Sequence, residues 1–124
     1  MKYNSNTIIL KYFTIFGESF NMINVYIYVD FQKDARQLVT GLMEKDLLAH
    51  ASIDKDNHSI LKVDGKITEQ ANFVITGQTK AMLFKDILDF IEKKGFDHTK
   101  VYSVPITQCN ENFGEIIRNN TLKI

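Results

Sequence analysis

Few side chains in this sequence can bind a transition metal or act as a nucleophile. The chain contains three histidines, His50, His58 and His98, and one cysteine, Cys109. Copper and zinc ions prefer the imidazole nitrogen and thiolate sulfur that these side chains supply. Their spacing, however, matches no local ligand motif. A metal site would therefore need donors that the fold, or several copies of the chain, bring together.

His50 and His98 are the candidate metal ligands, and copper or zinc is the ion that an imidazole site would take. His50 lies on a predicted strand, where a symmetric trimer could bring three copies of its side chain together. Alternatively, each of the two histidines faces solvent or is hydrogen-bonded without a metal. His58 lies in a polar segment, and we expect it to be exposed.

The remaining patterns do not predict an enzyme. Cys109 precedes a short helix, where the pKa of a thiol can be lowered, but no base that would activate it is identifiable. The simpler interpretation of Cys109 is a half-buried apolar residue. Gly65 and Lys66 do not form a phosphate-binding loop, since Ile67 stands where that motif needs serine or threonine. No Ser-His-Asp arrangement can be argued either, so we expect a non-catalytic protein.

The composition is that of a single globular domain. Of the 124 residues, 44% are hydrophobic and 24% charged, and 15 basic residues balance 15 acidic ones. Without a net positive field, the sequence argues against nucleic-acid binding. No apolar run approaches the roughly 18 residues needed to cross a bilayer, and the first residues lack the cleavage site of a signal peptide. The expectation is a cytoplasmic protein with neither a nucleic-acid nor a membrane partner.

Residues 1–21 stand apart from the domain predicted for residues 22–124. Regular patterning begins only near Ile23, directly after Met22. The N-terminal segment TIILKYFTIF could add an extra strand along a sheet edge. Alternatively, translation starts at Met22 and residues 1–21 are a mis-annotated start. The sequence leaves both interpretations open.

The hydrophobic pattern predicts the element order β-α-β-β-α-β, followed by a short helix. INVYIYVD (23–30) is nearly continuous in β-branched and aromatic residues, as in a strand buried on both faces. Asp30 is the predicted N-cap of the first helix, which carries one apolar stripe. Gly41 within that helix predicts a close approach to the sheet. The second helix ends at Gly95, and Pro105 places the last strand at or near an edge.

Residues 47–67 predict a long hairpin, and ANFVITGQT (71–79) returns as another strand. Asp64-Gly65 between two β-rich runs is a strong hairpin signal, because a type I′ turn needs positive φ at both central positions. The segment DKDN (54–57) predicts a polar break, so that residues 52–59 could form a loop. Two split βαβ units with both helices on one face of an antiparallel sheet define the ferredoxin-like α+β sandwich. We therefore predict this fold, with a long hairpin between its second and third strands and a short C-terminal helix.

Three segments resemble the CutA family, the divalent-cation tolerance proteins. LMEKDLLAHASI (42–53) is similar to that family's helix end and following strand. SILKVDGKITEQANFVITGQTK (59–80) is similar to its long hairpin. VPI (104–106), followed by NENFGEIIRNNT (110–121), is similar to its last strand and closing helix. Together with their spacing, these segments extend the resemblance over residues 23–121.

The departures from the family pattern concern its ligand positions. His50 stands where the family has a cysteine, which makes it the stronger of the two metal-ligand candidates. The family's H-P-Y-E-V-P-E signature is absent, and only Phe96, Asp97 and His98 stand in its place. The chain therefore looks like a diverged member that keeps the scaffold.

The resemblance implies a compact homotrimer in which each hairpin extends a neighbour's sheet, with a metal ion or small ligand at the subunit interface. An isolated two-stranded ribbon is marginal in water, and closed threefold symmetry would give all three ribbons a partner. The alternative is a PII-like signalling module that binds a nucleotide or small metabolite and presses residues 52–59 against a partner protein. A third interpretation is a trimer without a ligand.

Overall fold

The computed structural model describes residues 21–96 and 99–123. The helices and strands follow the predicted order: β1 Met22–Val29, α1 Gln32–Glu44, β2 His50–Val63, β3 Lys66–Lys80, a 3-10 turn at Ala81–Leu83 that leads into α2 Phe84–Lys93, β4 Val101–Pro105 and α3 Glu111–Asn119. The predicted N-terminal extension lies outside this description, apart from residue 21. None of the helices in the described part is long and apolar enough to span a membrane.

The sheet has the strand order β2-β3-β1-β4, with every neighbouring pair antiparallel. The inward side chains of β1 form one core cluster with those of α1 and α2, so both helices cover the same face. This arrangement confirms the predicted ferredoxin-like α+β sandwich. It leaves β4 at one edge, as Pro105 predicted, and β2 at the other.

The helix-covered face of the sheet is a closed apolar core. Val25, Ile27 and Ile75 on this face are all 0% exposed. On β1 the alternate residues, Asn24 and Tyr26 among them, point to the opposite face and are half-buried. β1 was predicted to be buried on both faces. In a single chain it is buried on the helix-covered face and half-buried on the other.

Helix α1 begins without the predicted cap. Its N-cap residue is Phe31, which offers no side-chain hydrogen bond. The prediction that Asp30 caps this helix is wrong, because Asp30 Oδ1 instead accepts a hydrogen bond from Gln70 Nε2 at 2.8 Å. The carboxylate thus ties the end of β1 to the hairpin.

Two glycines allow close packing, but Gly41 does so against a different partner from the one predicted. A Cβ built at Gly41 would lie 2.5 Å from Phe90 Cζ, so Gly41 brings α1 against α2 and not against the sheet. The close approach to the sheet occurs at Gly77 of β3, where a Cβ would lie 2.7 Å from a Leu48 methyl carbon. Since carbon atoms do not pack this closely, the missing side chains make both contacts possible.

The hairpin is longer and more regular than predicted. Asp64 and Gly65 have φ of 51° and 78°, and their neighbours Val63 and Lys66 pair directly, which confirms the two-residue turn. The predicted break at DKDN is wrong, since β2 runs through it with a register shift between Asp54 and Asn57. A β-bulge absorbs the one extra residue of β2 there. The polar composition of this segment reflects its exposure, and the predicted loop at 52–59 is part of β2.

Helix α3 packs against one end of the sheet. Ile117 is fully buried, whereas its neighbour Ile116 is 37% exposed. The Asn110 side chain caps the helix by accepting a hydrogen bond from the Phe113 backbone N–H at 2.8 Å. After the helix, Lys80 Nζ donates to the Leu122 carbonyl at 2.6 Å. Burial lowers the pKa of Lys80, and the nearby Lys123 ammonium lowers it further.

Candidate metal-binding site

The sheet face opposite α1 and α2, which we call the open face, carries most of the polar and aromatic side chains of the sheet. Residues at paired register positions on neighbouring strands lie side by side on it. Asn24 of β1 is opposite Gln78 of β3, and Gln78 is in turn opposite His50, the first residue of β2. Three polar side chains therefore form a row across three strands.

Hydrogen bonds connect this row from end to end. Gln78 Nε2 donates to Asn24 Oδ1 at 2.8 Å, and Gln78 Oε1 lies 2.7 Å from His50 Nδ1. Gln78 is only 9% exposed. A buried amide with both ends engaged is held in one orientation.

This orientation determines which nitrogen of neutral His50 carries the proton. The amide oxygen of Gln78 can only accept, so His50 Nδ1 must be the donor. In the neutral imidazole, Nε2 then holds the free lone pair. Metal-binding histidines have the same arrangement, with the second ring N–H donated to a carbonyl or carboxylate that orients the ring.

The aromatic ring of Phe113 completes the surroundings of His50. The two ring centroids are 5.8 Å apart and the rings are nearly perpendicular, at 81°. Phe113 belongs to the first turn of α3, which Asn110 caps, and its contact with His50 brings this end of the helix to the open face. The imidazole is therefore contacted on one side by an amide and on another by an aromatic ring, and His50 is still exposed to solvent.

The other candidate ligands do not gather around His50. His98 lies outside the described residues. His58 is exposed on β2, where its Nδ1 lies 3.1 Å from Glu69 Oε1. Cys109 is half-buried, as predicted. Across residues 21–96 and 99–123, no group of three or more His, Cys, Asp or Glu side chains converges on a common point.

A second feature of the open face is a row of tyrosines at its other edge. The rings of Tyr26 and Tyr102 stack with centroids 5.0 Å apart, and the hydroxyls of Tyr28 and Tyr102 are 3.3 Å apart. The hydrogen bond with Tyr28 raises the pKa of Tyr102. Tyr26 and Tyr28 are half-buried and cover the face that the helices leave open.

Asn24 and Gln78 were not predicted from the sequence as part of a site. The available signal was a polar residue in an otherwise apolar strand. Asn24 interrupts MINVYIYV, and Gln78 interrupts the returning strand at a corresponding place. Their pairing depends on the register of two antiparallel neighbours, which the periodicity of each strand does not determine.

The fold and this site define a class: ferredoxin-like α+β sandwiches with a projecting hairpin and a metal-ligand candidate on the first residue of β2. The sequence model of the CutA1 divalent ion tolerance proteins matches residues 23–120. The chain belongs to this family.

Solved structures of that family have the same fold. The chain is similar to CutA1 from Oryza sativa, with 20% identity and a TM-score of 0.79 over 86% of this chain and 99% of that one. It is also similar to the divalent cation tolerance protein from Thermus thermophilus, at 22% identity and a TM-score of 0.76 over 81% and 98% of the two chains. A third is the periplasmic divalent cation tolerance protein CutA from Archaeoglobus fulgidus, at 21% identity and a TM-score of 0.74 over 80% and 97%. No curated protein matches the chain significantly.

Proposed function

We propose that this protein is a non-catalytic, homotrimeric binding protein that holds a divalent transition ion, copper or zinc, through His50. The observation that carries the proposal is the hydrogen bond between His50 Nδ1 and Gln78 Oε1. It leaves the lone pair of Nε2 free and fixes the ring before a metal arrives. The names of the similar proteins, which refer to divalent cation tolerance, support the class of ligand.

One imidazole alone does not make a stable site, so the ion must take further ligands from elsewhere. The described part of the chain offers no cluster of donors near His50. A threefold axis would supply three equivalent imidazoles, which suits the nitrogen preference of copper and zinc. Metal binding and assembly are therefore coupled in this proposal.

The hairpin supports assembly independently of the metal. We call its distal half, residues 57–72, the ribbon. Ile60 and Ile67 on the ribbon are 71% and 75% exposed, and Val63 on its other face is 47% exposed. Apolar side chains on both faces of a projecting ribbon support the proposal that a neighbouring copy covers it. Pairing of the free β2 edge with the free β4 edge of the next copy would close a ring.

The signalling alternative depended on a loop at residues 52–59. These residues form part of β2 and its bulge, so the described structure offers no loop there to press against a partner protein. The cytoplasmic location stays a prediction, since one structural neighbour is described as periplasmic.

The test is a titration of the metal-free protein with zinc and with copper, monitored by isothermal titration calorimetry. We expect one ion per three chains, and we expect His50→Ala to abolish this binding. His58→Ala is the matched control, because it removes an exposed imidazole from the same strand and should leave the titration unchanged. Sedimentation velocity on the same samples gives the oligomeric state.

Two results would overturn the proposal. One is metal binding by His50→Ala with wild-type affinity. The other is a wild-type protein that sediments as a monomer and takes up neither ion.

A further inference from the structure

The polar row of the open face ends at Asn24, which does not contact the His50 ring. Asn24 lies on β1 between β3 and β4, with Gln78 opposite it on one side and Val104 on the other. Of these two neighbours, only Gln78 has a side chain that can form a hydrogen bond. Across the sheet, the amide of Asn24 is therefore directed at Gln78.

The side-chain amide of Gln78 has two ends with opposite roles. Its Nε2 can only donate a hydrogen bond, and its Oε1 can only accept one. Asn24 Oδ1 accepts from the donor end at 2.8 Å, which leaves the acceptor end for His50 Nδ1 at 2.7 Å. Because Gln78 is only 9% exposed, little water is available to replace either partner.

The orientation of Gln78 decides whether His50 can bind a metal ion. If this amide were reversed, Nε2 of Gln78 would donate to His50 Nδ1, and the proton of the neutral imidazole would have to lie on Nε2. That nitrogen would then have no lone pair for an ion. The reversed amide would also place its oxygen against Asn24 Oδ1, and two acceptors form no hydrogen bond. Reversal therefore requires the amides of Asn24 and Gln78 to turn together.

We infer that Asn24 is a positioning residue of the His50 site. Through Gln78 it holds the proton of neutral His50 on Nδ1 and keeps Nε2 free for a metal ion. The three side chains belong to one chain, so the row does not need an ion or a second copy. The effect of Asn24 on metal affinity rests on the proposed function, whereas its effect on the imidazole proton does not.

NMR of the metal-free protein tests where the imidazole proton lies. The 15N chemical shifts of the ring nitrogens distinguish a protonated from an unprotonated nitrogen at about pH 9, where imidazole is neutral. His50→Ala assigns the His50 signals. In the wild type we expect a protonated Nδ1 and an unprotonated Nε2. Asn24→Leu keeps a side chain of similar size but removes the acceptor, so Gln78 can turn and His50 should become a mixture of the two tautomers.

Two rescue variants separate the orientation of Gln78 from simple packing. Asn24→Asp offers only acceptor oxygens, so Gln78 should keep its orientation and His50 its Nδ1 proton. Gln78→Glu, added to Asn24→Leu, places beside His50 a carboxylate that accepts in either rotamer, so it should restore the Nδ1–H form. Thr76→Val, on the same face of β3 but outside the row, is the matched control and should leave His50 as in the wild type.

Calorimetric titration with zinc then measures the effect on binding. Asn24→Leu should weaken zinc binding at least about tenfold, since partners that orient a metal-binding histidine typically contribute about 10–100-fold to affinity. Asn24→Asp should bind zinc at least as tightly as the wild type does, and Thr76→Val should bind it equally well. Circular dichroism confirms that all variants fold.

Three results overturn the role of Asn24. The first is a single Nδ1–H tautomer in Asn24→Leu, and the second is the same mixture of tautomers in Asn24→Asp as in Asn24→Leu. The third is unchanged zinc affinity in Asn24→Leu when the wild type binds zinc. If instead the tautomers respond as expected and the wild type binds neither zinc nor copper, Asn24 still positions the His50 proton and the proposed metal function fails.

Discussion

Strand β3 passes through two environments, and the comparison between its halves explains how the molecule is built. From Phe73 onward it lies in the middle of the sheet under the helices, where Ile75 is 0% exposed. Before Ala71 it forms one side of the ribbon, where every residue is exposed and Ile67 is 75% exposed. The same strand thus carries isoleucine in a closed core and isoleucine in solvent.

The two halves do not differ enough in residue type to explain this contrast. Both contain β-branched residues in alternation with polar ones, the pattern of a strand with one face buried. In the part of β3 from Phe73 onward, helices α1 and α2 of the same chain bury the apolar face. In the ribbon no element of the same chain buries it, so the pattern fits a surface that packs against another molecule.

The largest effect that we expect comes from the same substitution in the two environments. Ile75→Ala should lower the free energy of unfolding by about 2–5 kcal/mol, because it leaves a cavity in a packed core. Ile67→Ala should change it by no more than about 0.5 kcal/mol at protein concentrations where the chain is monomeric. Urea denaturation followed by circular dichroism measures both.

If Ile75→Ala and Ile67→Ala lowered the free energy of unfolding equally at high dilution, the contrast between the two halves of β3 would be wrong. Such a result would mean that the ribbon is folded against its own subunit, contrary to its exposure. A loss for Ile67→Ala that grows with protein concentration would instead sharpen it, because the cover would then come from another copy.

The second prediction concerns assembly. The double variant Ile60→Lys, Ile67→Lys should weaken self-association at least about 100-fold, since each buried isoleucine contributes about 1.5–3 kcal/mol. Its circular dichroism spectrum should stay that of the wild type, because neither residue belongs to the core. Sedimentation velocity over a range of concentrations measures the shift.

The matched control for this variant is Met82→Lys. Met82 is 64% exposed and apolar, but it lies in the 3-10 turn before α2, outside the ribbon. This control should associate as the wild type does. If Met82→Lys also dissociated the protein, or the double variant did not, the ribbon would not be the assembly surface.

Particular residues show where sequence reasoning succeeded on the fold. Asp64-Gly65 predicted the hairpin turn correctly because few residues adopt positive φ. Two neighbouring residues are therefore enough to predict where this turn lies. The apolar stripe predicted for the first helix was equally local, and the helix buries Ala35, Leu38 and Leu42. Gly95, with φ of 88°, ends the second helix as expected.

The failures concern residues whose role depends on a distant partner. Asp30 was assigned to the helix that follows it, but Gln70, forty positions away in sequence, competes successfully for its carboxylate. The DKDN segment was predicted as a break because a bulge and a loop have the same polar composition, and only the pairing with β3 distinguishes them. At the candidate site, His50 was found through its residue type, while Gln78 and Asn24 required the strand register.

The smallest predicted effect is a gain in stability, and it concerns a buried hydroxyl in the helix-covered core. Thr79 lies on the helix-covered face of β3 and is 0% exposed, yet its hydroxyl is the one buried side-chain polar atom in the described residues without a hydrogen-bond partner. A buried hydroxyl without a partner costs about 1–3 kcal/mol. Thr79→Val replaces it with a methyl group of similar size, so it should raise the free energy of unfolding by about 1 kcal/mol in urea denaturation. Thr76→Val, on the open face of the same strand, is the control and should change stability less. If Thr79→Val were destabilising, the Thr79 hydroxyl would have to form an interaction with a group outside the described residues. The helix-covered core would then depend on that group for its stability.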